Sequence, residues 1–186
     1  MNIGLGAALR ARFKLGAIAV VIRNLLTSSD LRDAVTYNTN GTTVTKGVLS
    51  NSKVGVVWTQ NLTSEVAPVW LTASSIPVTD TKRYVLSFYT NTLAGAPGMK
   101  SQIQALGSTN YQLSTDGLSW ITTASETPAP APDGTGRRVI VLPALPVGIT
   151  TIVIGNYVRT IASFQVELFD AQFEEGTVPT AFQPKP

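Results

Sequence analysis

The sequence of 186 residues contains no cysteine and no histidine. Without cysteine there is no disulfide framework, no thiolate nucleophile and no thiolate-held zinc or iron–sulfur site. Without histidine, the usual general base near neutral pH and the commonest metal ligand are missing, which excludes a Ser-His-Asp triad and an imidazole-bound zinc. Charge is scarce as well. Asp, Glu, Lys and Arg make up 13% of the chain, against roughly 25% in an ordinary soluble domain. With 11 acidic residues, few carboxylates remain for acid–base chemistry, and the expectation is a protein that is not an enzyme. Long apolar runs are missing too. The stretch 15–22 ends at Arg23, far short of the roughly 20 residues that span a bilayer. It lies behind fourteen residues and has no small-x-small cleavage site, so neither a membrane span nor a secretory leader is expected.

What is present points to strands. Threonine occurs 24 times, beside 15 Gly and 11 Pro, and hydrophobic residues reach 44%. That mixture is what an all-β protein with many turns uses, and a chain of this length can bury a core without staples. Runs dense in β-branched and aromatic residues recur between turn signals. They include Val54 to Trp58, Val66 to Leu71, Tyr84 to Tyr89, Arg137 to Leu142, Thr150 to Ile154 and Phe164 to Phe173. In the last, Phe164, Val166 and Leu168 alternate with Gln165, Glu167 and Phe169, a period of two with one face buried. Pro68 suggests an edge position for its run. Asp116-Gly117 between Tyr111 to Leu113 and Trp120-Ile121 is a hairpin signal. The Pro/Ala/Gly-rich stretch 127–136 reads as a surface loop. Strands at this spacing predict a two-sheet antiparallel sandwich.

Charge divides the chain. Residues 1–29 carry Arg10, Arg12, Lys14 and Arg23 and no acid, whereas the remainder holds ten bases against eleven acids. The basic character therefore belongs to the N-terminal stretch, and a nucleic-acid face on the folded part is not expected. Residues 1–23 read as an extended arm that docks on another protein through Leu5, Leu9, Arg10, Arg12, Phe13 and Lys14, by main-chain pairing and apolar pockets. Residues 24–186 read as one domain.

Few residues invite chemistry. Glu174 and Glu175, near Asp170 and Glu167, form the acidic cluster. Neighbours on a strand point to opposite faces, so this pair is poorly arranged for glycoside hydrolysis and reads as a solvated strand end. Asp30, Asp33 and Asp170 would contribute oxygens to a calcium ion if the first and last strands meet; otherwise no metal or other cofactor is expected. Trp58 reads as core. Trp120, Tyr111 and Trp70 are the candidates for stacking on a sugar ring, Trp120 being placed on the surface beside the Asp-Gly turn.

Three segments carry a resemblance. Arg23-Asn24-Leu25-Leu26-Thr27-Ser28-Ser29-Asp30-Leu31 resembles the opening of carbohydrate-binding-module-like jelly rolls in bacteriophage structural proteins. Ala171-Gln172-Phe173-Glu174-Glu175-Gly176, followed by Thr180-Ala181-Phe182-Gln183-Pro184, is similar to their ending, with Phe173 for Leu and Phe182 for Tyr. Tyr84-Val85-Leu86-Ser87-Phe88-Tyr89 is similar to their central strand. The resemblance implies a two-sheet jelly roll with an N-terminal anchor, carried on a virion as a non-enzymatic structural protein of the tail, collar, fibre or capsid-decoration type. It implies other virion proteins and copies of itself in a symmetric oligomer as partners. The alternative it leaves open is a module that binds host-surface glycan. An obvious aromatic platform, which carbohydrate-binding relatives present, is missing.

Overall fold

The β-branched and aromatic runs pair as antiparallel strands. The computed structural model describes residues 24–26, 35–36, 42–61, 69–70, 75–95, 100–122, 129–130, 135–157 and 163–183. Within them, in chain order, lie β1 (Val35–Thr36), β2 (Thr42–Val48), β3 (Val54–Asn61), β4 (Val69–Trp70), β5 (Ile76–Pro77), β6 (Tyr84–Ala94) and β7 (Lys100–Gly107). They are followed by β8 (Tyr111–Leu113), β9 (Trp120–Ile121), β10 (Ala129–Pro130), β11 (Gly136–Val141), β12 (Ile149–Tyr157) and β13 (Ser163–Glu175). The smaller sheet runs β11-β6-β13-β3-β2. The larger runs β1-β4-β12-β7-β8-β9, with β10 also pairing to β7 and β5 to β12. The protein is an all-β, two-sheet antiparallel jelly-roll sandwich.

The pleat explains the core. In β6, Tyr84, Leu86 and Phe88 point inward; in β3, Val56 and Trp58 do so. The larger sheet answers with Ile103, Ala105, Leu113, Ile152 and Ile154, all fully buried. Trp58 meets Phe164 edge-on at 5.1 Å between ring centroids, and Tyr84 stacks on Phe173 at 5.3 Å. Such aromatic pairs add about 1 kcal/mol beyond the area they bury.

The last strand departs from strict alternation. Phe164, Val166 and Leu168 face the core, but Asp170 takes φ 48° at an irregularity in the pairing between Phe169 and Gln172. One extra residue shifts the register, so that Ala171 and Phe173 now face inward. Beyond this bulge β3 no longer pairs with β13, and Asn24 to Leu26 lie alongside instead. The Leu25 N–H donates to the Phe173 carbonyl at 2.7 Å. Asn24 Nδ2 donates to the Ala171 carbonyl, while its Oδ1 accepts from the N–H groups of Leu26 and Phe173. The opening and closing motifs of the sequence are thus one piece of structure.

Three sequence expectations are corrected. β4 is not an edge but lies between β1 and β12, because Pro68 precedes the two paired residues and removes no hydrogen bond from them. The Pro-rich stretch is not all loop, since Ala129 and Pro130 pair with Ser101 and Lys100. Glu174 is not solvated but buried. The arm at 1–23 lies outside the described residues.

Candidate functional site

The outer face of the smaller sheet is partly covered by the chain itself. The β2–β3 turn curls over it, made possible by Gly47 and Gly55, which pair with each other and leave bare backbone. Leu49 packs on Gly55, where an added Cβ would stand 2.9 Å from its methyl group and 2.4 Å from the Leu168 carbonyl oxygen. Ser50 then reaches Glu167, whose carboxylate accepts from the Ser50 N–H at 2.7 Å, the Ser50 hydroxyl at 2.8 Å and Asn91 Nδ2 at 2.7 Å. Burial opposes the charge on Glu167, but these hydrogen bonds outweigh it and hold the pKa below the ordinary value of 4.5. Glu167 is a fastening, not an acid–base catalyst.

The C-terminal segment covers a second part of this face, while Val139 and Val141 at the β11 edge stay exposed. Glu174 accepts from the Thr180 N–H and hydroxyl, both at 2.8 Å, and from Gln172 Nε2. Arg137 donates to the Thr180 carbonyl at 2.6 Å, and the Gln183 N–H donates to Gln172 Oε1. Phe169 stacks on Tyr89 at 5.6 Å, and the Lys53 ammonium lies 5.8 Å from the Phe169 ring and 5.7 Å from that of Phe182. Lys53 also pairs with Asp170, so this calcium candidate is engaged, and Asp30 and Asp33 lie outside the described residues. Among the described residues no group of three or more Asp or Glu converges as a metal site would require. Glu175, on the opposite face from Glu174, is exposed beside Lys82 at 3.4 Å.

The outer face of the larger sheet carries amides in place of carboxylates, two of them, Gln102 and Gln112, buried. On β7, Ile103 and Ala105 face the core, so Gln102, Gln104 and Leu106 face outward. Register continues the row: Gln104 pairs with Gln112 of β8 and Val153 of β12, and Gln112 pairs with Ile121 of β9. Gln104, Leu106, Asn110, Tyr111 and Gln112 line a depression of about 150 Å³. Gln112 is 6% exposed and its Nε2 has no acceptor among the described residues; Gln102 is fully buried, and neither atom of its amide has a partner among them. A buried amide left without a partner costs about 1–3 kcal/mol. Gln102 stands opposite Gly155, which pairs on its other side with Trp70.

The aromatic candidates fall differently from expectation. Tyr111 and Trp120 pair with Ala105 and Leu113, which are core-facing, and both pack half-buried against the core. Trp120 Nε1 donates to the Pro143 carbonyl at 3.3 Å. The hairpin forms as its Asp-Gly turn predicts, but the pleat turns Trp120 inward rather than to solvent, so it is no exposed stacking platform. Tyr111 alone of the two also borders the depression. The side chain of Trp70 lies outside the described residues. Sequence reasoning missed Gln102, Gln104 and Gln112. The signal was the alternation Gln102-Ile103-Gln104-Ala105, which sets amides on one face and apolar groups on the other.

Comparison with solved structures adds a likeness. A candidate sugar-binding protein from Bacteroides thetaiotaomicron matches with TM-score 0.53 and 9% identity, over 83% of this chain and 100% of that one. The CBM22-1-GH10 modules of Clostridium thermocellum xylanase 10B, complexed with xylohexaose, match with TM-score 0.50 and 11% identity, over 84% of this chain. The enzymatically active domain of bacteriophage CBA120 tailspike protein 4 matches with TM-score 0.49 and 12% identity, over 83% of this chain. The fold is a carbohydrate-binding-module-like jelly roll. This jelly roll spans 28% of the xylanase structure and 21% of the tailspike structure, and at these identities the likeness is one of fold. No family model matches the sequence, and no curated protein does.

Proposed function

We propose that the jelly roll is a non-catalytic glycan-binding module and that the outer face of its larger sheet is the binding surface. The observation that carries this is the contrast between the two faces. The smaller sheet buries its carboxylates under its own turn and C-terminal segment, whereas the larger sheet presents a depression lined by amides, one of them with an unpartnered donor. Amides both donate and accept, as sugar hydroxyls do, and half-buried Leu106 on the same face offers apolar area to a sugar ring. A glycan array and affinity electrophoresis of the full chain test the reading. Binding that Gln104→Ala and Gln112→Ala each weaken tenfold or more supports it; silence in both assays removes it.

The setting is a second proposal, favoured by the charge division and the sequence resemblance. Residues 1–23 dock the module on a capsid, collar or tail, where it forms a symmetric oligomer and displays the glycan-binding face on the virion. Deletion of residues 1–23 should leave a soluble domain that no longer enters particles. Normal incorporation of the truncated chain would refute the anchor.

A further inference from the structure

We infer that the glycan bound on this face is an uncharged polysaccharide, an inference that rests on the glycan-binding reading and narrows it. The five side chains lining the depression are Gln104, Leu106, Asn110, Tyr111 and Gln112, and none carries a charge. The rest of the described row, Val153, Ile121 and Thr151, is neutral as well. A carboxylate or sulfate placed in the depression would lose water and meet no cation among the five side chains that line it, and desolvating an unpaired charge costs far more than desolvating a hydroxyl. The charge fixed at the same end of the sheet has the wrong sign for an acidic ligand. The Asp80 carboxylate accepts from the Gly148 N–H at 2.8 Å, and Gly148 abuts Ser108 in the turn between β7 and β8.

By contrast, a hydroxyl-bearing chain suits the donors and acceptors present. Gln112 Nε2 needs an acceptor, and Asn110 and Gln104 offer both kinds of group. The row of residues crosses β12, β7, β8 and β9, three inter-strand steps of about 4.8 Å each. A polymer lying across the strands would therefore be held along its length rather than by one end. Lys100, the first residue of β7 and two positions before Gln102 in the strand, is the basic residue whose substitution serves as the control for an acidic polymer.

Affinity electrophoresis of the full chain tests this with two sets of gels. One set contains hydroxyethyl cellulose, galactomannan or arabinoxylan; the other contains carboxymethyl cellulose, polygalacturonate or hyaluronate. The expected result is retardation by at least one neutral polymer, at least tenfold stronger than by any acidic one and insensitive to salt. Retardation by an acidic polymer equal to or stronger than that by the neutral ones, weakened by salt and by Lys100→Ala, would overturn the inference while leaving glycan binding intact. No retardation in either set would overturn both. Gln112→Leu, which keeps the volume but removes the amide, should lose the neutral retardation with an unchanged unfolding midpoint, separating a binding defect from misfolding.

Discussion

Glu167 shows how a carboxylate that looks reactive in sequence can be structural. It lies on the outer side of a central strand, where burial by itself would raise its pKa, yet three hydrogen bonds to its oxygens lower it. A folded pKa below the unfolded value of 4.5 means that Glu167 contributes stability in full above that pH. The contribution is lost as pH falls through the folded value. Glu167→Gln keeps the shape but turns an amide donor toward either the Ser50 N–H or Asn91 Nδ2, both of which are donors, and should lose about 2 kcal/mol at neutral pH. In urea titrations its midpoint should also fall less steeply than that of the wild type below about pH 4.5. An unchanged acid limb would show that another group carries the acid sensitivity. Asp116 is held low by a different local device, the Ser114 hydroxyl and the Leu118 N–H within the hairpin turn.

Turns decide which face of each element is covered. The Gly47–Gly55 pair lets the β2–β3 hairpin fold back over its own sheet, and only glycine fits at 55, because a Cβ would stand 2.4 Å from a backbone oxygen. Gly117 sits in the other prominent hairpin at φ 73° with open space around it. The two positions separate steric from conformational cost. Gly55→Ala should destabilise by about 3 kcal/mol through overpacking, while Gly117→Ala should cost about 1 kcal/mol for the left-handed backbone. Equal shifts in the unfolding midpoint would show that the turn is not pressed against the sheet. The bulge at Asp170 plays the matching part on β13. It reverses which residues face inward and frees the edge to which Asn24 to Leu26 attach.

For the molecule as a whole, the smaller sheet's outer carboxylates are tied down by the chain's own turn and C-terminal segment, whereas on the outer face of the larger sheet the Gln102 amide and Gln112 Nε2 have no partner among the described residues. Unpartnered amides of this kind are expected to cost stability where function retains them. A double variant, Gln104→Leu with Gln112→Leu, should therefore unfold at the same or a higher urea midpoint, with the unfolding free energy raised by up to about 1 kcal/mol, while binding is abolished. A clear loss of stability would mean that the amides serve the fold, and the binding face would have to be sought elsewhere.

Several strand positions, though not those of β2 and β7, the hairpin at Asp116-Gly117 and the core role of Trp58 were legible in the sequence, because alternation and turn residues act over a few neighbours. So was the exclusion of cysteine and histidine chemistry. Which face each side chain meets was not. Trp120 looks exposed beside its turn, but pairing with Leu113 puts it on the core side. Glu174 looks solvated at a strand end, but Thr180 and the C-terminal segment bury it. The glutamines of β7 and β8 become one surface only when register sets Gln104 beside Gln112. Local sequence determined where the chain extends and where it turns; pairing between distant strands decided what is covered, because burial depends on neighbours far away in the chain.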